Sequence, residues 1–182
     1  MNENFPGFSG PAASTEAPLE MLAACHIRIE RQCATLKRLA LHVTQYGPDE
    51  QARTAATNVM RYFDTAAPQH HTDEEENLFP ALIESMAGSD AVCLREMTQG
   101  LADDHRVLEV HWQSLRQKLE HIAAGQPVSL PADDIEAFTG LYERHIKLEE
   151  DDLLPMAARL LGDDELAAIG RAMRERRGIG GQ

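Results

Sequence analysis

A chain of 182 residues is long enough to bury one continuous apolar core without disulfide or metal staples, so a single domain is expected. Its 17 Lys and Arg stand against 30 Asp and Glu, a net charge of −13 that repels phosphate backbones and anionic lipid heads; nucleic acid and membrane surfaces are excluded as expected partners. Cys25, Cys33 and Cys93 are odd in number and form no C-x-x-C pair, which argues against a disulfide framework or a thiolate zinc site and predicts a reducing, cytoplasmic setting.

Residues 1–17 are rich in Gly, Pro, Ser and Ala, with neither a basic start nor an apolar run, and are expected to form a flexible tail without an export signal. From residue 18 onward apolar residues recur at alternating steps of three and four, the period of a helix with one face on a core. Leu22, His26, Ile29, Cys33, Leu36 and Ala40 form the first stripe, which ends at Gly47-Pro48. Met60, Phe63, Ala67, His70, Glu74, Asn77 and Ala81 form the second, up to a loop at Gly88-Ser89. The third runs Leu101, His105, Leu108, Trp112, Leu115 and Leu119, followed by a loop from Gly125 to Pro131. The fourth runs Ile135, Phe138, Tyr142, His145, Glu149, Asp152 and Met156. A short additional helix follows Gly162-Asp163, and residues 176–182 are expected to be a flexible C-terminal tail, leaving 18–175 as the domain.

The first stripe matches the third, and the second matches the fourth. A Phe stands seven residues before both His70 and His145, a Pro ten residues after each, and Leu78 corresponds to Leu153. The chain therefore reads as two copies of a helix pair, about 18–87 and 90–161. With short connections this predicts an all-α, up-down-up-down antiparallel four-helix bundle with a pseudo-twofold internal repeat. Pro68, Pro80 and Pro155 each remove a backbone donor, and the helical sequence continuing beyond Pro80 and Pro155 predicts bending rather than termination.

His70 and Glu74 are four residues apart, as are His145 and Glu149, which puts each pair on one helix face about one turn apart. With His26 and His105 on matched stripes, six ionisable groups are expected to converge inside the bundle. Two buried carboxylates would cost several kcal/mol each unless cations or dense hydrogen bonding offset the lost water. Imidazole and carboxylate donors without thiolate suit Fe or Mn, with Zn possible. In the metal-free state at least one of Glu74 and Glu149 is expected to take up a proton to relieve like-charge repulsion. The Glu-x-x-His of ferritin-like bundles is absent, as are H-E-x-x-H, a P-loop and G-x-G-x-x-G.

These residues, His26, His70 and Glu74 in HHTDEEENLFP, His105, and His145 and Glu149 in HIKLEEDDLLP, resemble the hemerythrin-like (HHE cation-binding) family over about residues 19–160. The resemblance implies two iron ions in an Fe-O-Fe or carboxylate-bridged centre that binds or senses oxygen, nitric oxide or peroxide, or holds iron. It also allows a di-iron enzyme (an oxidase, a peroxide or nitric oxide reductase, or an iron-centre repair protein), and a helical module with structural zinc is the third alternative. A small diatomic ligand or peroxide is thus the expected partner, with an unidentified protein partner also possible. Oxygen-carrying members use a fifth histidine one turn after the third-helix histidine. Glu109 stands there in this chain, so simple oxygen carriage is not the expectation.

Among the remaining residues, Glu30 and Glu109 are read as flanking salt-bridge partners that could add a ligand. Glu75, Glu76 and Glu150 to Asp152 are read as solvated helix faces, and Tyr142 as a core residue hydrogen-bonded to a ligand. His42, His71, His111 and His121 are read as surface or supporting groups, with replacement or supplementation of His70 the lesser alternative for His71.

Overall fold

A computed structural model of the chain describes residues 17–86 and 90–179. Most of the two expected tails and the predicted loop at residues 88 and 89 lie outside them. All regular structure among the described residues is helical: α1 (Pro18–Tyr46), α2 (Glu50–Asp73), α3 (Phe79–Ser85), α4 (Asp90–Ala123), α5 (Ala132–Leu148), α6 (Leu154–Leu160) and α7 (Asp163–Arg176). None of these helices is long and apolar enough to cross a membrane. The long helices close a ring in which α1 packs on α2, α2 on α4, α4 on α5 and α5 on α1.

Local chemistry explains the boundaries. Pro18 starts α1, where its missing N–H would have had no partner. Gly47 ends it at φ +76, a left-handed conformation that suits glycine, and its N–H closes on the Val43 carbonyl. Two residues later the Asp49 carboxylate caps α2, accepting from Ala52 N–H at 2.9 Å, a contact worth about 1 kcal/mol.

The prolines act through π turns. Single turns at Glu74–Leu78 and Glu149–Leu153 join α2 to α3 and α5 to α6. In each, the backbone reaches back five residues: Phe79 N–H to the Glu74 carbonyl and Leu154 N–H to the Glu149 carbonyl. Pro80 and Pro155 follow directly. The wider turn makes room for their rings and omits the bonds they cannot donate, so helix continues past both. Pro68 also lies inside an unbroken helix.

The π turns correct the predicted stripes. Each inserts one extra residue, so the core-facing positions beyond Glu74 and Glu149 move on by one. Leu78 and Leu82 are buried rather than Asn77 and Ala81, and Leu153 and Ala157 rather than Asp152 and Met156.

Two apolar clusters make the core. One gathers Ile29 to Val43, Val59 to Ala67, Leu108 to Ile122 and Ile135 to Ile146; the other joins Leu22, Leu78, Leu82, Leu101, Leu153 and Ala157 to Ile169 and Met173 of α7. Phe63 and Phe138, matched by the repeat, meet at 5.1 Å with rings edge to face. In sequence, His26, His70, His105 and His145 each fall between a residue of one cluster and a residue of the other, so a polar layer separates two apolar ones. The last helix runs one residue past 175. Arg176 closes α7, and both Arg176 and Arg177, expected in the tail, pair with fully buried Asp73.

Candidate metal centre

The six predicted residues come together. His26 arises from α1, His70 from α2, His105 from α4 and His145 from α5, while Glu74 and Glu149 open the two π turns, and none is more than 4 % exposed. Every imidazole turns its Nε2 inward. His70 Nε2 lies 3.2 Å and His105 Nε2 3.4 Å from the two Glu74 oxygens; His26 Nε2 lies 3.1 Å and His145 Nε2 3.3 Å from the two Glu149 oxygens. Each carboxylate therefore spans an imidazole from each half of the repeat. The His105 and His145 Nε2 atoms also face each other at 3.1 Å.

These are ion-pair distances, and several lack hydrogen-bond alignment. His26 Nε2, both nitrogens of His70, His145 Nδ1, Glu74 Oε2 and both Glu149 oxygens are buried without a hydrogen-bond partner. Buried polar atoms are normally satisfied, and so many left over at one point mark a site built for something other than mutual hydrogen bonding. The donor set fits cations. His26, His70, Glu74 and Glu149 form one group of four whose ligand atoms lie within 4.8 Å of one another, and Glu74, His105, His145 and Glu149 form a second.

Around this layer lies an outer ring of carboxylates on the opposite ring nitrogens. His26 Nδ1 meets Glu150 Oε1 at 3.1 Å, His105 Nδ1 meets Glu75 Oε1 at 2.7 Å, and His145 Nδ1 lies 3.5 Å from Asp104 Oδ2. A carboxylate on one imidazole nitrogen fixes the tautomer and leaves the lone pair of the other pointing inward, the usual support for a metal-bound histidine. Arg106 grips Glu75 at both oxygens, at 2.6 and 2.7 Å, and this above all holds its carboxyl below the ordinary range. Glu75 and Glu150 are thus not merely solvated faces. Their matched positions, one residue after each buried glutamate, are the signal in the sequence.

The metal-free protons settle on imidazole rather than carboxylate. Burial disfavours a charged His26 ring, but the facing Glu149 and Glu74 carboxylates outweigh it and hold the group up at about 11. His145 is raised the same way despite burial, chiefly by Glu149. Burial pushes Glu74 and Glu149 up, yet the neighbouring histidines win and hold both below the ordinary carboxylate range. The expectation that a glutamate takes the proton is therefore corrected, because two imidazole nitrogens lie within 3.4 Å of each carboxylate and favour its charged form. His70 is lowered by burial.

The other candidates lie outside the two groups. Glu30 and Glu109 are exposed, and Glu109 accepts from Gln113 Nε2 at 2.6 Å. The His71 ring stacks on that of His105, centroids 3.9 Å apart, and the Tyr142 hydroxyl lies 3.4 Å from His71 Nε2, so Tyr142 meets a neighbour of the six rather than one of them. A cleft of about 330 Å3, walled by Phe63, Ala67, Trp112 and Tyr142, reaches inward to His71 and His105. His42 pairs with Asp49 and His121 with Gln126, both away from the centre.

Comparison with known proteins agrees with the geometry. The family model described as Hemerythrin HHE cation binding domain matches residues 17–157. An uncharacterised protein of Haemophilus influenzae is 32% identical over 167 residues, which cover 92% of this chain and 94% of that protein. The buried His and Glu groups, the helical bundle and the matched span together identify the chain as a member of the hemerythrin HHE cation-binding domain family.

Proposed function

We propose that this protein is a cytoplasmic non-haem di-iron protein that binds or senses a small oxidising ligand such as oxygen, nitric oxide or peroxide. The observation that carries the proposal is the sharing of Glu74 and Glu149 between two groups of four donors. His26 and His70 would hold one ion, His105 and His145 the other, and the two glutamates would bridge them. An up-down-up-down order of the long helices underlies this arrangement, because it lets matched halves of the repeat face each other across a pseudo-twofold axis.

When bound, the iron pair supplies redox-active centres with open coordination positions. The chain's own residues divide the remaining work. Glu75 and Glu150 orient two imidazoles through Nδ1, and the Asp104 carboxylate lies 3.5 Å from the Nδ1 of a third, His145. The apolar clusters on either side exclude bulk water. The cleft against His105 offers a small ligand a route to one side of the site, with the Tyr142 hydroxyl and His71 as polar groups along it. Three free cysteines suit a reducing compartment.

Metal analysis tests the reading: the loaded protein should hold close to two ions per chain. One ion at saturation, or full loading after Glu74→Gln and Glu149→Gln together, would overturn the bridged pair. The reduced iron form exposed to oxygen should develop charge-transfer absorption without a long-lived adduct, since exposed Glu109 stands in place of a fifth histidine.

A further inference from the structure

The repeat that builds the site is broken at the residue before each glutamate. Before Glu149 stands Leu148; before Glu74 stands Asp73, whose side chain is completely buried. Both of its oxygens are held by guanidinium groups from the end of α7. Arg177 Nη2 donates to Oδ2 at 2.6 Å and Nη1 to Oδ1 at 3.2 Å, and Arg176 Nη1 donates to Oδ1 as well. Arg176 Nη2 then bridges to Glu76 Oε2 at 2.9 Å and Asn77 Oδ1 at 3.1 Å, while Arg177 Nη1 is tied to its own helix through the Met173 carbonyl at 3.0 Å.

Two cations thus grip Asp73, Glu76 and Asn77, residues on both sides of Glu74 in the π turn. Packing alone does not call for this arrangement, because a leucine serves at the matched place in the other half, and buried ion pairs are often replaceable by well-packed apolar side chains. A bidentate guanidinium does fix direction. A π turn has poorer backbone geometry than an α turn, so an outside grip on both flanks limits how its first residue can turn. The helix that supplies the grip lies beyond residues 17–157, the span matched to the family.

We infer that Arg176 and Arg177 are positioning residues for the metal centre: through Asp73, Glu76 and Asn77 they hold the π turn so that Glu74 faces the imidazoles, making the C-terminal helix part of the site. The inference rests on Glu74 being a metal ligand.

Cobalt(II) binding to the full chain tests it. Asp73→Leu/Arg176→Ala/Arg177→Ala removes the grip without stranding a buried charge and copies the matched Leu148; Arg176→Lys/Arg177→Lys, which keeps the charges but not the forked geometry, serves if that variant does not fold. Affinity by chelator competition, the visible spectrum of the bound ion and the melting temperature are measured in wild type, Glu74→Gln and Glu149→Gln backgrounds. Loss of the grip should weaken binding roughly 10–100-fold in wild type and in Glu149→Gln, the range seen when groups supporting a metal ligand are removed. In Glu74→Gln it should add little, and the grip-free spectrum should resemble that of Glu74→Gln. Unchanged wild-type affinity, or an equal loss in all three backgrounds, would overturn the inference even if the melting temperature fell. A Glu74→Gln protein that binds cobalt as wild type does would instead remove Glu74 from the ligand set, and the inference with it.

Discussion

Metal binding to this centre should release protons, and apparent affinity should climb steeply with pH. His26 is held up at about 11 in the metal-free bundle, so its ring carries a proton throughout the neutral range, and His145 is shifted the same way. A metal takes only the neutral ring. Displacing one proton raises apparent affinity tenfold per pH unit, about 1.4 kcal/mol. His26 sets that slope for the ion it would share with His70, and His145, while protonated, sets the same slope for the other ion, so loading both approaches a hundredfold per unit. His70, lowered by burial, has no proton to give. Stability of the metal-free protein runs the other way. The raised His26 contributes stability that is complete below its ordinary value of 6.5 and is lost as pH rises toward about 11. The depressed Glu74 and Glu149 contribute above their ordinary value of 4.5 and lose that contribution as pH falls through their folded values. His70 opposes His26 as pH falls below 6.5, since its folded form resists protonation. The gap in melting temperature between loaded and metal-free protein should therefore widen from mildly acidic to mildly alkaline pH. Cobalt(II) competition against a chelator, corrected for the chelator's own protonation, gives the slope, and proton release in weak buffer gives the count. A slope below one proton per loaded site would mean that His26 keeps its proton, and would refute Nε2 as a donor there.

The outer carboxylates and the cleft give two more tests. Glu75→Gln and Glu150→Gln should each weaken metal binding by about 10-fold or more with little change in the metal-free melt, because each orients an imidazole at the edge of the site; chelator competition and calorimetry check both halves. Ala67→Leu should fill the cleft beside Tyr142, slowing nitric oxide binding to the reduced iron protein in stopped flow at unchanged metal content, with a stability cost within about 1–3 kcal/mol.

The inner ring was legible because each glutamate follows its histidine on one helix face and the whole pattern occurs twice; chance seldom repeats a buried charge at matched positions. What lay beyond Glu74 and Glu149 was not, since a strict helical period carried through Pro80 and Pro155 places Asn77 and Asp152 inward, whereas the π turns bring in Leu78 and Leu153. Glu75 and Glu150 were hidden by their acidic neighbours: a charge run looks solvated unless the residue opposite is known, and the partners lie 30 and 124 positions away. The Arg176–Asp73 pair joins residues 103 positions apart, and no local pattern reports such a contact. Tyr142 was placed correctly in the core but given the wrong neighbour, because His71 turns to stack on His105.

The differences between the two halves suggest a division of labour. At the position one turn after each paired Phe and three residues before His70 and His145, one half carries Ala67 and the other Tyr142. Ala67 leaves room, and the cleft opens there against His105; the matched Tyr142 ring forms another wall of the same cleft, with its hydroxyl 3.4 Å from His71 Nε2. The residue after each histidine differs too, His71 against Ile146, so the polar groups gather on the open side. On the His26 and His70 side the departure from symmetry is Asp73 with its two arginines, a device for holding rather than admitting. A duplicated helix pair supplies two equivalent sets of donors; substitutions at a few matched positions then leave a cleft beside one pair of imidazoles and a buried ion-pair cluster next to Glu74.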